Sequence, residues 1–269
     1  MNKPIFGVDF SSAPHRKKPI WIAELNLDHD QPHFASLNAI YSLTDFQTWL
    51  NHLQNGVIGL DLPLGMPRKF IEHAQWPSNW ADLICFYRDC DEDSYCATIE
   101  KYIKLQPQGH KLPKRNTDVT HKAISPMMIY GVPLAKMHFR GAPLLQEAQI
   151  SVLPNNPTTS AVQAIEIYPA ILAKRLFHSI WPITKGKPRY KSGNRKAAQR
   201  LRTALFDALQ SRYFTHQFIP APVREIVISD PNGDALDALF AAIQAYEAAQ
   251  LPNFGIPSDA DPLEGWICS

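Results

Sequence analysis

The sequence predicts an α/β protein whose mixed sheet joins an antiparallel three-strand meander to parallel strands, with helices flanking it. Three observations lead to this fold class. Short apolar runs separated by turns fill the first 43 residues, an amphipathic segment follows them, and later apolar runs alternate with helical patterns. A helix between two strands permits a right-handed crossover, which makes the fourth strand parallel to a meander strand.

The meander is predicted from three apolar runs at the start of the chain. The first strand covers residues 5–10 (IFGVDF) and ends in a Ser-Ser-Ala-Pro turn. The second covers residues 19–27 and the third residues 34–43. Because the connections between them are short, neighbouring strands are expected to run antiparallel.

A helix and a fourth strand follow the meander. Thr44 has the character of an N-cap, and apolar residues recur at helical spacing over residues 44–54. Asn55-Gly56 then ends the helix. The fourth strand covers residues 57–62, and Pro63 ends it.

The rest of the chain is predicted as one continuation of this domain, so that residues 1–269 form a single unit. Residues 66–160 are expected to form an insertion or lobe, because much of this segment is rich in Pro, Gly and Asn. The further predicted elements are helices over 67–73, 78–103, 170–181, 194–213 and 234–250, and strands over 162–168 and 225–229.

Two carboxylates lie inside apolar runs that are predicted to be buried strands. Asp9 follows Gly-Val in the first strand, and Asp61 follows Gly-Leu in the fourth. A buried unpaired charge costs roughly several kcal/mol of folding free energy unless a partner compensates it. If the two strands are adjacent, both side chains meet at the carboxyl edge of the sheet, where ligands of α/β proteins gather. An aspartate at a strand end can also simply form a turn.

Three further acids extend this pattern. Asp234 and Asp237 begin an otherwise apolar helix and lie on one face of it, and Glu166 is the lone acid of the strand over 162–168. Convergence of all five on Mg²⁺ or Mn²⁺ would explain them, because these cations prefer oxygen ligands. Asp234 could instead serve the helix N-terminus alone, and Glu166 could pair with a lysine.

Positive charge is concentrated in the second part of the chain. Residues 1–100 carry 7 Lys and Arg against 13 Asp and Glu, whereas residues 101–269 carry 20 against 12. A block over 174–202 holds ten basic residues and no acid. It could hold the phosphates of a nucleic acid or be a solvated helix face. Within it, Lys191 is a candidate phosphate contact, with an ordinary surface lysine as the alternative.

Several short motifs together resemble a known family. The motifs GVDFSSAP, GLDLPLGMPR, IEIYPA, DALDALFAAIQA and LEGWI are similar to those of the domain of unknown function 429 family, whose members are regarded as predicted nucleases of ribonuclease H-like fold. The start of the last helix, DALDA, also resembles the D-x-x-D helix of RuvC-type resolvases. The resemblance implies strand order 3-2-1-4-5, with the large insertion after strand four.

The resemblance also implies roles for individual residues. Asp9 and Asp61 match the acids of strands one and four, Asp234 and Asp237 match the helix pair, and Glu166 matches the acid before Tyr-Pro. These five would bind Mg²⁺ or Mn²⁺ and form the catalytic set with Lys191. The chain departs from ribonuclease H proper, which has a glutamate on its first helix, since residues 44–54 offer only Asp45.

These observations favour a metal-dependent nuclease acting on DNA or RNA. A non-catalytic nucleic-acid- or partner-binding module of the same fold is the alternative. An ATP-using phosphotransferase is disfavoured because the chain has no Gly-rich phosphate turn. No run of 18 apolar residues and no signal-peptide pattern is present, so a cytoplasmic protein without membrane partners is expected. The oligomeric state is not predicted.

The cysteines are expected to be ordinary reduced thiols. Cys85, Cys90 and Cys96 lie close together in sequence, and Cys268 lies near the end of the chain. A zinc site among the first three is conceivable, but their spacing fits no common zinc motif.

Overall fold

A computed structural model describes residues 3–29, 31–182, 188–191 and 195–269. The chain has an α/β fold, as predicted, with a six-stranded mixed sheet between helices. The strands are β1 Ile5–Asp9, β2 Ile20–Asp28, β3 Gln31–Ile40, β4 Gly56–Asp61, β5 Ser151–Leu153 and β6 Val162–Glu166.

The sheet has the strand order β3-β2-β1-β4-β6-β5. β1 pairs antiparallel with β2, and β2 with β3, which forms the predicted meander. β4 is parallel to β1 and to β6, and β5 is parallel to β6. The predicted order 3-2-1-4-5 is therefore incomplete: the predicted fifth strand corresponds to β6, and β5 is an additional edge strand within the segment 66–160.

Helices cover both faces of this sheet. Their bounds are α1 Leu43–His52, α2 Arg68–Ala74, α3 Trp80–Asp89, α4 Glu92–Leu105, α5 Asn116–His121, α6 Leu134–Glu147, α7 Pro169–Ile180, α8 Arg195–Tyr213, α9 Ala221–Ser229 and α10 Asp234–Ala249. In the described part of the chain, no helix is long and apolar enough to cross a membrane.

Three predictions about the helices and strands were wrong in detail. Ser42, not Thr44, is the N-cap of α1, because its hydroxyl accepts the backbone N–H of Asp45 at 3.0 Å. The single helix predicted over 78–103 is divided into α3 and α4, since Asp91 caps a new helix by accepting from the N–H of Ser94.

The strand predicted over 225–229 (EIVIS) is helical and belongs to α9. A proline at the first turn favours helix initiation at Ala221. Val227 and Ile228 are the buried residues of this helix, whereas Ile226 is exposed. Tertiary packing of one helical face thus overrides the β-propensity of these branched side chains.

The two faces of the sheet have separate apolar cores. Phe6 and Val8 of β1 face a core that contains the buried residues of α1–α4 and α6. Ile5 of β1 faces the other core, together with the apolar residues of α7–α10. Side chains alternate along a strand, so Gly7 and Asp9 lie on the same face as Ile5. Asp9 therefore lies on the face of the sheet that α10 covers.

Two glycines let α10 approach the sheet closely. A Cβ at Gly7 would lie 2.0 Å from the nitrogen of Ala242 and 2.3 Å from the oxygen of Ala238. A Cβ at Gly59 of β4 would lie 2.7 Å from the Cβ of Ala245. The alanine-rich helix thus packs directly onto β1 and β4. Its N-terminal turn then lies beside the ends of these two strands.

Candidate metal centre

Asp9 and Asp61 are the last residues of adjacent parallel strands. They are direct partners in the register of β1 and β4, as the sequence analysis expected if the two strands were neighbours. Asp9 is buried, with 6% of its surface exposed, and Asp61 is half-buried. Two carboxylates are therefore held side by side where the strands end.

The first turn of α10 brings further carboxylates to this place. Gly233 precedes the helix with a φ of 73°, a left-handed conformation that glycine adopts readily. Asp234 and Asp237 then begin the helix, and both are buried. One oxygen from each of Asp9, Asp61 and Asp237 lies within 4.8 Å of the others. We call these three residues the aspartate cluster.

Lys191 is the cation beside the aspartate cluster. Its Nζ forms an ion pair with Asp237 and lies 3.9 Å from Oδ1 of Asp9 and 3.7 Å from Oδ1 of Asp234. Its side chain is 41% exposed, but the ammonium group itself is held among these three carboxylates. The neighbouring hydroxyl of Tyr190 donates a hydrogen bond to Oδ1 of Asp237. Lys191 thus lies at the predicted site, and its role in phosphate binding stays a prediction.

Burial dominates the protonation of these acids. It raises the pKa of Asp9 well above its ordinary value, although Lys191 opposes the change. It raises the pKa of Asp61 to about 7, again against the effect of Lys191. The pKa values of Asp234 and Asp237 are raised for the same reason. Without a bound cation, burial therefore favours the neutral, protonated form of these carboxyl groups.

The residues present fit a hard divalent cation. Carboxylate oxygens are the ligands that Mg²⁺ and Mn²⁺ accept, and three converge here. Oδ2 of Asp234 is buried and has no hydrogen-bond partner among the described residues, which is unusual for a carboxylate in a protein interior. A cation bound by these residues would give Oδ2 of Asp234 a partner and would favour the charged form of the carboxylates.

Glu166 lies apart from the aspartate cluster. Its two oxygens accept from the guanidinium of Arg115 at 2.6 and 2.7 Å, and one of them also accepts the backbone N–H of Leu64 at 2.8 Å. Arg115 makes a second ion pair with Asp118, and all three charged residues are buried. The sequence analysis allowed a lysine as the partner of Glu166, but the partner is this arginine.

A role for Glu166 as a metal ligand stays a prediction, and it would require Arg115 to release one of these oxygens.

A cavity of about 340 Å³ opens beside the aspartate cluster. Asp61, Asp237 and Lys191 lie at one end of it, and Arg115 and Glu166 lie in its wall. Most of its remaining lining is apolar. The acids at the strand ends therefore border a space large enough for a small ligand.

The basic block over 174–202 is not one continuous surface in the described residues. Arg175 pairs with Glu247, and Arg202 is buried and donates to the carbonyl oxygens of Tyr190 and Ile228. Arg189 is exposed and lines the cavity. Residues 185 and 187 lie outside the described residues. Two arginines of the block thus have structural partners, while Arg189 and Lys191 lie at the candidate site.

Two other sequence features lie away from the aspartate cluster. The Asp45 side chain accepts a hydrogen bond from the hydroxyl of Ser42 at the start of α1, so it serves the helix end. The cysteines are free thiols, as expected, and Cys85, Cys90 and Cys96 lie on or next to α3 and α4. In the described part of the chain, the one group of acids, histidines or cysteines with metal-binding spacing is the aspartate cluster.

Sequence reasoning missed three residues that shape the site. Arg115 is not singled out by the sequence analysis, although the spacing of Arg115 and Asp118 is that of a local ion pair. Tyr190 and Tyr168 are not singled out either. Both tyrosines line the cavity. Their position depends on contacts between distant segments, which no local pattern encodes.

Comparison of the chain with protein-family models, with curated proteins and with solved structures finds no match. The resemblance carried by the short motifs therefore stays an expectation. The geometry of the strand ends and of the cavity is what supports a function.

Proposed function

We propose that this protein is a metal-dependent nuclease of ribonuclease H-like fold, which hydrolyses phosphodiester bonds in DNA or RNA. The observation that carries the proposal is the convergence of Asp9, Asp61 and Asp237, whose oxygens lie within 4.8 Å of one another at the ends of β1 and β4. Several buried acids destabilise a fold unless a ligand compensates their charge. Such groups of acids are typical of functional sites.

Asp9, Asp61 and Asp237 would hold Mg²⁺ or Mn²⁺, with Asp234 as a further ligand through its orphaned oxygen. The bound cation would supply an activated water and neutralise charge on the phosphate. Lys191 is within reach of the same place, and its positive charge suits it to hold a phosphate oxygen.

Other residues of the chain would position this set. Tyr190 fixes the orientation of the Asp237 carboxylate through its hydroxyl. Arg189 adds positive charge at the cavity, where a polyanion would approach. Arg115 anchors Glu166 and with it the end of β6. These contacts hold the acids in place before any substrate binds.

One observation favours a second candidate, a non-catalytic nucleic-acid-binding module. The ion pair between Lys191 and Asp237 already compensates part of the buried charge, so the acids could serve the fold alone. In that case added Mg²⁺ would leave the thermal stability unchanged.

The test is cleavage of single-stranded, duplex, branched and hybrid nucleic acids in Mg²⁺ or Mn²⁺. The variants are Asp9→Asn and Asp61→Asn, which keep side-chain volume and remove charge. Asp45→Asn is the matched control, because Asp45 lies on α1 and contacts Ser42. We expect both cluster variants to lose cleavage and the control to retain it.

Thermal unfolding with and without Mg²⁺ completes the test. We expect Mg²⁺ to raise the melting temperature of the wild type and of Asp45→Asn, and to leave that of Asp61→Asn unchanged. A folded wild-type protein that cleaves none of these substrates and shows no shift with Mg²⁺ or Mn²⁺ would contradict the proposal and favour the binding module.

A further inference from the structure

The cavity beside the aspartate cluster has an apolar wall that metal binding does not explain. Its mouth includes Ile124 and Val132, whose surfaces are 41% and 55% exposed. Large exposed apolar side chains next to a polar site are typical of ligand binding. The apolar lining continues inward through Leu62, Leu134, Met137 and Ile167.

Arg115, in the charged wall of the cavity, has no N–H group left to donate to a ligand. Arg115 donates through Nε to Asp118, through Nη1 to Glu166 and to the carbonyl oxygens of Gly65 and Glu264, and through Nη2 to Asp118 and Glu166. A base in the cavity would therefore find no unused donor on Arg115 and would meet mainly apolar side chains and rings. Recognition by shape and stacking follows, with little discrimination by hydrogen bonds.

Tyr168 and two cationic residues also line the cavity. Tyr168 is half-buried and lines the cavity, and its flat ring can stack against a planar group. Arg189 and Lys191 line the same cavity and carry positive charge. The cavity lining thus combines apolar side chains with cationic and acidic ones, a combination that suits a base joined to a phosphate.

The size of the cavity limits what can enter it. About 340 Å³ lies near the lower end of the range for small-molecule sites, which is roughly 300–1,000 Å³. A nucleotide of a single strand can place one base in such a space, whereas a base pair within a duplex stays stacked between its neighbours. Bases that are unpaired enter at the lowest cost in stacking free energy.

We propose that this cavity takes the base of one unpaired nucleotide, without selecting among the bases, and so directs the aspartate cluster to single-stranded DNA or RNA. The proposal rests on the proposed function, because the aspartate cluster is the place where the adjoining phosphate would lie. Arg189 and Lys191 would contact that phosphate, while Tyr168 and the apolar wall would hold the base.

The test measures binding by fluorescence anisotropy with Ca²⁺ as the cation, using end-labelled strands of equal length. The probes are single strands of deoxyribonucleotides and of ribonucleotides, an abasic strand with the same number of phosphates, and a blunt duplex. We expect the abasic strand and the duplex to bind at least about tenfold more weakly than the single strands, since base stacking carries the difference. Strands of different base composition should bind alike.

Two variants place a charge in the apolar mouth of the cavity. Ile124→Asp and Val132→Asp change exposed residues, so the fold should persist. Val119→Asp is the matched control, because Val119 is 64% exposed on α5 and lies outside the cavity lining. We expect the two cavity variants to bind single strands no better than the abasic strand, and the control to keep the wild-type preference.

The outcomes separate this inference from the proposed function. Equal binding of abasic and complete strands, or a wild-type preference in both cavity variants, would overturn the base-binding role even if the protein cleaves nucleic acid in Mg²⁺. Absence of binding to every strand would overturn it as well. A clear preference for complete single strands, lost in the cavity variants, would support it whether or not cleavage is detected.

Discussion

At the scale of single residues, the ends of β1 and β4 carry an uneven balance of charge. Asp9, Asp234 and Asp237 all lie within 4.0 Å of the ammonium group of Lys191, and Asp61 adds a fourth carboxylate beside them. Burial favours the neutral form of these acids, and the one ammonium group opposes this only in part. A divalent cation would favour the charged form as well, so Lys191 and the cation would compete for the same carboxylates.

This competition predicts the behaviour of Lys191→Met. The variant keeps a long apolar stem and removes the charge, so the buried acids lose their cation. We expect the free energy of unfolding in EDTA to fall by about 1–3 kcal/mol, less than for a fully buried pair because Lys191 is 41% exposed. We also expect Mg²⁺ to bind about tenfold more tightly, a change of about 1.4 kcal/mol.

Calorimetric titration with MgCl₂ and urea unfolding in EDTA measure these two effects. Arg189→Met is the matched control, because Arg189 is an exposed cation two residues away that also lines the cavity. It should change neither quantity by a comparable amount. Weaker Mg²⁺ binding by Lys191→Met would show that the ammonium group does not compete with the cation.

His138 predicts a pH dependence that is separate from the aspartate cluster. It is fully buried on α6, and its Nδ1 lies 2.9 Å from the carbonyl oxygen of Pro63. Burial lowers the pKa of His138 from 6.5 to about 4. As the pH falls below 6.5, the unfolded chain takes up a proton that the folded protein does not, so stability is lost down to about pH 4.

The variant His138→Gln isolates this effect, because it can still donate to Pro63 and does not titrate. Between pH 7 and pH 4 we expect the wild type to lose on the order of 3 kcal/mol more than the variant, at about 1.4 kcal/mol per pKa unit. Urea unfolding at several pH values measures the difference. Parallel pH profiles of the two proteins would mean that His138 is protonated in the fold or that its burial is incomplete.

The site residues that the sequence analysis predicted are acids that interrupt an otherwise apolar strand or helix. Asp9 and Asp61 interrupt apolar strands, and Asp237 interrupts an apolar helix, so each was visible in the sequence. The pairing of Glu166 with Arg115 was not visible in the sequence, because the two residues are 51 positions apart. The local pattern around one residue does not indicate the other. Long-range ion pairs need the fold before they can be identified.

At the scale of elements, the contact between α10 and β1 depends on the absence of a side chain at Gly7. The close atoms are the backbone nitrogen of Ala242 and the backbone oxygen of Ala238. Backbone atoms cannot turn aside as a flexible side chain can. The helix therefore has to move away from the sheet if any side chain is added at Gly7, and Asp237 moves with it.

We expect Gly7→Ala to destabilise the protein by several kcal/mol, more than the roughly 1–3 kcal/mol typical of overpacking, and to weaken Mg²⁺ binding. Ala242→Gly should not rescue it, since the clash involves the backbone of the helix. Gly59→Ala is a useful comparison, because its nearest atom is the Cβ of Ala245 and Ala245→Gly should partly rescue it. Chemical unfolding of the single and double variants measures both. Full rescue of Gly7→Ala by Ala242→Gly would contradict this packing.

Element prediction succeeded where the apolar pattern matched the element, and it failed at a three-residue strand, at a run of branched residues and at the cap that divides α3 from α4. The meander, α1, β4 and α10 follow from patterns of five or more residues. β5 has three residues, too few to show alternation, and its place beside β6 is set by pairing at the sheet edge. The run in α9 is rich in branched residues, which favour strands, but a helix packs its Val227 and Ile228.

At the scale of the whole molecule, the segment after residue 260 connects parts of the fold that are distant in sequence. Asp261 pairs with Arg68 at the start of α2. The backbone N–H of Cys268 donates to the carbonyl oxygen of Glu166 at 2.8 Å, and that of Ile267 donates to the hydroxyl of Thr117 on α5 at 2.8 Å. This segment thus joins the insertion to β6, and Ile267 closes one side of the cavity.

The hydroxyl of Thr117 makes the last of these connections testable. Thr117 is buried, so Thr117→Val leaves the N–H of Ile267 without an acceptor while keeping the side-chain shape. An unsatisfied buried donor costs about 1–3 kcal/mol, and we expect the free energy of unfolding to fall by that amount. Thr120→Val is the matched control, because Thr120 is exposed on the same helix and bonds only to the carbonyl oxygen of Asn116 among the contacts described. It should change stability by less than about 0.5 kcal/mol. If the two variants unfold alike in urea, the hydrogen bond from Ile267 to Thr117 does not contribute to the stability of the fold.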